Sequence, residues 1–392
     1  MEKRLDTFRW MQLLVLAGVH FLVDLFGGML PAILPAIKAE FVLSLSLGGI
    51  LLVVMHLTSN GVQALTGHMR ARRRYPLFMY LGLILAPGIC LLGVLPRSGG
   101  AFAAMLILAA VSGCGIAIVH PEALRAVHRL KTIPPSVSTA VFMAGGFLGY
   151  ASGGAISTIL VSRFGFQGLY PLVLCPVVGI LMVIFLKIRM AVEPESFSTN
   201  NAANPENRLP FWLLYAMAMP ATVSTLFLAS LLPMVLNDLG FKLTFGGFSV
   251  TMFGLGGTVG VFVWVGIAHR KGELLCSIVA FFLAVPFLVT YLVLIENKMA
   301  IWLLFGLGFC SISAYILMIT LARAATGPNL GRRMGFIAGG TWALANIVFM
   351  AHLPAAQYFG PEAILKFTPA GYVLSAVFGL FIMFRARRQV KK

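Results

Sequence analysis

His20 and Asp24 stand four residues apart inside an otherwise apolar stretch at 10–36. On a helix that spacing places imidazole and carboxylate on one face, within reach of each other. Such a pair can pass a proton between its members near neutral pH, which is the chemistry a proton-coupled carrier requires. The same two side chains can also hydrogen-bond across to another helix and hold a bundle together, and the residues by themselves leave both readings open. A second group, His120-Pro121-Glu122-Ala-Leu-Arg125, closes another apolar stretch. Pro121 removes a backbone donor, so the helix is expected to bend or end there. Glu122 and Arg125, three apart, can pair locally or form a gate at the membrane edge. His56, Asn60 and Gln63 fall at i, i+4, i+7 and give a polar stripe that must face a bundle interior or an aqueous cavity.

These residues matter because of where they lie. Twelve apolar spans can be drawn, at roughly 10–36, 45–66, 76–95, 101–122, 136–161, 169–187, 211–236, 244–266, 274–295, 299–322, 335–357 and 367–384. Each approaches the ~20 residues that carry a helix across the hydrocarbon core. Spans of this length exclude a β-barrel, whose strands need only ~10 residues. A hydrophobic fraction of 59%, with 10% charged residues and a mean hydropathy of +0.95, lies far outside soluble norms. The fold class is therefore an all-α membrane protein of 12 transmembrane helices. Of twelve acids, ten fall in loops, tails or helix ends, which leaves Asp24 deep in the first span and Glu122 at the end of the fourth. Ionisable groups at membrane depth are functional candidates by default.

Charge placement gives the expected topology. With both termini on one side, 23 of the 29 Lys and Arg fall on that side, in clusters such as Arg70, Arg72, Arg73 and Arg74. The other side carries one per loop: Lys38, Arg97, Arg163, Lys242, Lys298 and Lys366. Basic loops stay cytoplasmic, so both ends are expected in the cytoplasm of an inner (plasma) membrane protein. The net charge of +17 is read as topology and anionic lipid contact rather than nucleic-acid binding, because it lies beside the span ends. The first apolar run is too long for a signal peptide and is kept as a helix. Cys90, Cys114, Cys175, Cys276 and Cys310 all lie in spans and read as packing thiols. No phosphate-binding loop, nucleophile–base pair or metal-ligand spacing appears, so neither an enzyme, a cofactor nor a metal site is expected.

A polar stretch between the sixth and seventh spans divides the chain. The expected organisation is an N-terminal six-helix bundle at 1–190, a cytoplasmic linker at 191–209 and a C-terminal six-helix bundle at 210–392. The halves resemble each other at an offset near 198: Leu34-Pro35 matches Leu232-Pro233, Gly48-Gly49 matches Gly246-Gly247, and Arg72-Arg73 matches Arg270-Lys271. Ala144-Gly145-Gly146 meets Ala338-Gly339-Gly340 after a small drift. Parallel repeats of this kind rock about a site near the midplane. Gly145, Gly146, Gly149, Gly153 and Gly154 present small residues for close helix approach. They read as helix packing and, more sharply, as a sliding seam in which span 5 meets span 8 and span 2 meets span 11. In the second half Thr222 occupies the position of Asp24, with Asn346 and His352 as weaker polar candidates. Met217, Met219, Met252, Phe253, Trp264 and Trp342 supply an adaptable apolar wall.

His20-x-x-x-Asp24, the run Leu34-Pro35-Ala-Ile-Lys-Ala-Glu40-Phe41, and above all His120-Pro121-Glu122-x-x-Arg125 resemble the major facilitator superfamily. Within it they are most similar to the fosmidomycin-resistance-like efflux group. The glycine run of span 5 is similar to the antiporter motif of proton-coupled exporters. The resemblance implies a secondary transporter that moves protons inward and a small molecule outward by alternating access. It implies His20 and Asp24 at the proton or substrate site and His120, Glu122 and Arg125 as gating residues. Three positions depart from the family pattern: Ala71 stands where an acid is expected, Phe147 replaces a polar residue, and Gly153-Gly154 replaces Gly-Pro. The expected partners are a small-molecule substrate, protons and membrane lipids, with no nucleic acid, and the chain is expected to act as a monomer. A proton symporter or facilitator importing a metabolite is the nearest alternative, and a non-transporting ligand- or lipid-binding membrane protein the alternative of another class.

Overall fold

In bilayer-depth segments every backbone N–H and C=O must be bonded within the segment, so long apolar runs become helices. The computed structural model describes residues 2–69, 74–97, 100–191, 209–328 and 330–390. Arg70, Arg72 and Arg73, most of the expected linker (192–208), and Lys391 and Lys392 lie outside the described residues. Twelve described helices are long and apolar enough to cross a membrane: α1 Asp6–Phe41, α2 Leu45–Gln63, α3 Leu77–Val94, α4 Ala101–His128, α5 Val137–Phe164, α6 Phe166–Phe185, α7 Phe211–Asp238, α8 Leu243–Lys271, α9 Glu273–Val293, α10 Lys298–Ala324, α11 Arg332–Phe359 and α12 Pro361–Ala386. Among the described residues no strand forms; Pro210 and Thr326 make one isolated bridge. The protein is an all-helical, multi-pass membrane protein. Its outward apolar side chains, such as Val178, Phe185 and Val293, are exposed as lipid-facing groups are.

Several helices change pitch. α3 tightens to a 3₁₀ helix over Ala86–Val94, and α6 begins with one over Phe166–Leu174. α11 contains a π turn at Phe336–Gly340, whose Ile337 carbonyl accepts the Tyr315 hydroxyl at 2.6 Å. Of the two outcomes expected at Pro121, a bend or an end, α4 does not end there but runs on to His128. A proline forfeits one bond of the helical ladder, and Glu122 and Arg125 beyond it are anchored to other segments of the chain, as described below.

The described chain divides into two compact units. The first comprises Met1–Glu193 with Leu236–Thr251, and the second Pro194–Val235 with Met252–Lys392.

In the first unit α1 and α5 run parallel in fixed register. A Cβ on Gly145, Gly149 or Gly153 would strike the carbonyl oxygen of Ala17, Phe21 or Leu25, respectively. The partner on α1 advances four residues for every four on α5, so three successive turns are in backbone contact. α2 meets α4 in the same way, with Gly113 against the Met55 carbonyl, and α4 meets α3 with Gly115 against Leu85 and Ala86. The opening turns of α8 pack on α5 within this unit: Thr251 donates to the Ala151 carbonyl at 2.6 Å, and Gly247 abuts Gly154 and Thr158.

The second unit repeats the device on different helices. Gly256 and Gly260 of α8 lie against the carbonyls of Phe305 and Phe309 on α10, and Gly308 against that of Phe253. α7 and α12 are joined by polar bonds. The Ala221 N–H donates to Ser375 Oγ at 2.9 Å, and the Thr225 and Tyr372 hydroxyls bond at 2.8 Å.

Candidate functional site

The tight α1–α5 register fixes where α1 presents its polar pair. His20 is nearly sealed, with Nδ1 2.8 Å from the Phe142 carbonyl and its ring stacked on the Phe142 ring at 4.2 Å between centroids. A carbonyl only accepts, so Nδ1 carries the proton and Nε2 points the other way. Nε2 lies 3.2 Å from Asp24 Oδ2. The other carboxylate oxygen, Oδ1, lies 3.1 Å from Nε2 of His120, which comes from α4. His120 repeats the arrangement of His20, with Nδ1 2.7 Å from the Ile116 carbonyl one turn earlier in its own helix. The two imidazoles meet edge to face at 4.9 Å.

The result is a three-residue cluster in which each carboxylate oxygen faces one imidazole nitrogen. Both rings are committed at Nδ1, so both Nε2 atoms would present lone pairs to an anion unless a proton occupies each gap. The cluster as folded can thus hold up to two protons. Asp24 retains 22% side-chain exposure and His120 19%, so the acid is not sealed off as His20 is. Gly146 of α5 completes the surroundings, since a Cβ there would sit 2.5 Å from Asp24 Oδ2 and His20 Nε2.

His120 therefore belongs geometrically with His20 and Asp24, not with the Glu122–Arg125 pair beside which its sequence position grouped it. Helical periodicity carries the signal: residues two apart lie about 200° around the axis and those three apart about 60°, so His120 and Glu122 face opposite ways. The carboxylate of Glu122, buried, accepts the Met79 backbone N–H at 2.8 Å and so caps the start of α3. Arg125, also buried, donates from Nε and Nη2 to the Ala191 carbonyl at 3.1 and 2.6 Å, while the Ala191 N–H returns a bond to the Arg125 carbonyl at 3.2 Å. These two side chains tie α4 to the entry of α3 and the exit of α6. Sequence reasoning had no means of naming Met79, Ala191, Phe142 or Ile116, because each contributes a backbone group.

The glycine stripe divides by function. Gly145, Gly149 and Gly153, read from sequence as helix packing and more sharply as a seam between bundles, pack α5 on α1 inside the first unit. Gly154 faces Gly247 and Val250 of α8, while Gly146 faces the His–Asp cluster. Along the α2 stripe His56, Asn60 and Gln63 are half-buried, and Asn60 spends its amide on the His56 carbonyl at 2.7 Å. In the second unit Thr222 is buried and bonds within its helix to the Ala218 carbonyl at 2.9 Å. Asn346 bonds to the Trp342 carbonyl at 2.8 Å and His352 to that of Val348 at 2.8 Å, both also within one helix. Met217, Met252, Phe253 and Trp264 are buried, with Met219 and Trp342 half-buried.

Twelve membrane-length helices with a His–Asp–His cluster between α1 and α4 set the context for comparison with known proteins. The model of the Major Facilitator Superfamily matches residues 16–350. The chain belongs to this superfamily. Its members are transporters, and the family match takes in α2 to α10 entire and most of α1 and α11. Among curated proteins, the fosmidomycin resistance protein of Escherichia coli (strain K12) is 25% identical over 147 residues, 37% of this chain and 35% of that protein. The uncharacterized MFS-type transporter YfnC of Bacillus subtilis (strain 168) is 22% identical over 176 residues, 44% of this chain and 42% of that protein. The aligned parts thus span well under half of each relative's length.

Proposed function

We propose that this transporter couples the inward movement of protons to the export of a small organic molecule, with Asp24 as the carboxylate that exchanges protons. The observation that carries the reading is the pairing of both Asp24 oxygens with imidazole nitrogens whose opposite ring nitrogens are pinned to carbonyls. That geometry supports a group that gains and loses protons as its surroundings change from one membrane face to the other. Export as the direction is favoured by the partial similarity to a resistance protein. The 23-to-6 division of basic residues favours both termini in the cytoplasm of a bacterial inner membrane. Alternating access would involve bundles at 1–190 and 210–392 joined by a linker at 191–209, acting as a monomer on substrate, protons and lipid, without enzymatic turnover. Glu122 and Arg125 would serve as the fixed cytoplasmic end of α4 beside the moving groups.

The test uses inside-out vesicles, acidified inside and loaded with a pH-sensitive dye, with native protein compared against Asp24→Asn. A panel of amphiphilic and phosphonate-like compounds is added one at a time. A compound that releases protons through the native protein and not through the Asn variant supports antiport. Identical traces for every compound refute proton coupling at Asp24.

A further inference from the structure

We propose that His20, Asp24 and His120 form a binding site for a divalent transition-metal cation of the zinc, cobalt and nickel class. The sequence offered no metal-ligand spacing, because one ligand lies 96 positions from another in the chain. The fold brings two imidazole nitrogens and one carboxylate together so that their donor atoms all lie within 4.8 Å of one another. Ligand atoms 2.0–2.1 Å from a tetrahedral ion are about 3.3 Å apart. The two imidazole nitrogens lie 3.2 and 3.1 Å each from its own carboxylate oxygen. With one atom per residue the set, within 4.8 Å, has to draw in by up to about 1.5 Å to seat an ion.

The outer contacts point the same way. A metal-binding histidine gives its other ring N–H to a carbonyl or carboxylate, which fixes the tautomer and aims the lone pair at the ion. Both histidines do this, His20 to Phe142 and His120 to Ile116, through bonds of 2.8 and 2.7 Å. A histidine placed only for packing has no need for its second nitrogen to converge on the same acid as another pinned histidine. The donor set contains imidazole and carboxylate without thiolate, which suits zinc, cobalt or nickel better than copper(I) or calcium. The backbone of Gly146 closes the α5 side, where even a methyl would sit 2.5 Å from Asp24 Oδ2 and His20 Nε2. A further ligand such as water or a cargo group would therefore enter from the side on which Asp24 and His120 keep 22% and 19% of their side-chain surface exposed. Two neutral imidazoles, one carboxylate and a dication leave a site of charge +1. That is also the charge with a proton in each gap, so a dication adds no charge to the buried cluster that two protons would not.

Binding does not depend on the antiport reading. A chain that moves no protons can still bind cobalt, and failure to bind cobalt leaves the dye experiment standing.

The experiment is equilibrium titration of the detergent-purified full chain with Co²⁺, followed by visible absorption and by X-ray absorption at the cobalt edge. The expected result is one cobalt per chain in a shell containing two imidazoles, displaced by added Zn²⁺. His120→Ala is expected to weaken binding by about 100-fold or more, given that loss of a mere outer-shell partner costs 10–100-fold. His120→Cys is expected to restore binding and add a thiolate-to-cobalt charge-transfer band. Should the substitutions fail to fold, the X-ray absorption of native protein still decides. A shell without two imidazoles, absence of saturable binding, or binding that survives His120→Ala unchanged overturns the proposal.

Discussion

Replacing Gly149 by Ala tests the register that positions the site. The added methyl would meet the Phe21 carbonyl oxygen and lie 2.8 Å from both Phe21 C and Cα. Carbon atoms in ordinary contact are about 3.5–4.0 Å apart, so α1 and α5 must separate locally by about 1 Å. The obstacle is backbone, held in its own helical ladder, and no side-chain rotation relieves it. Overpacking of this kind costs about 1–3 kcal/mol, and an immovable neighbour favours the upper half of that range. Gly18→Ala is the control. Gly18 lies on α1, the helix that Gly149 packs against, with nothing within 4 Å of the new methyl, and it makes the same change in helix propensity, worth about 1 kcal/mol in favour of Ala. The difference in stability between the two variants therefore isolates the packing contribution. At about 2–4 °C per kcal/mol for chains of 150–250 residues, and somewhat less for a longer one, the two should separate by on the order of 5 °C. The assay is thermal unfolding of detergent-solubilised protein, followed by the fraction that remains monodisperse on size exclusion. Coincident melting curves, or a higher midpoint for Gly149→Ala, would refute the claim that these helices touch backbone to backbone.

Gly146→Ala should behave differently, because its methyl meets side-chain atoms of His20 and Asp24 at 2.5 Å rather than backbone, and the part-exposed Asp24 carboxylate can yield at the cost of its pairing with His20. Its melting midpoint should stay closer to that of the native protein than Gly149→Ala, while proton release in dye-loaded vesicles falls to the level of Asp24→Asn; native-like proton release would contradict it. Glu122→Ala should lower the melting midpoint more than Glu122→Gln. Gln keeps an acceptor for the Met79 N–H, whereas Ala strands a buried donor at about 1–3 kcal/mol. Equal midpoints for the two would show that the carboxylate does not cap α3.

Much of this protein was legible without coordinates. The twelve spans follow from composition, since only internally bonded backbone survives in hydrocarbon, and the twelve helices fall on the same runs of sequence. His20 and Asp24 could be paired because their interaction is local and helical geometry alone sets it. The same periodicity turns His120 and Glu122 to opposite sides of α4, a signal that their nearness in the sequence masks. At Pro121 the sequence left a bend and an end both open, because the loss of one backbone bond is a local effect, whereas the anchoring of Glu122 to Met79 and of Arg125 to Ala191, which lies beyond it, is not.

What the tertiary structure alone decided is the identity of partners across the chain. Sequence marks Gly145, Gly149 and Gly153 as small without naming the helix they approach, and the fold assigns them α1. It marks three titratable residues without bringing them together, and parallel packing of α5 on α1, with α4 alongside, converges two pinned imidazoles on one carboxylate. Periodicity along a helix is written in the order of residues. Contact between helices depends on which backbone can come near enough, and that is settled only when the glycines, carbonyls and ring nitrogens occupy the same space.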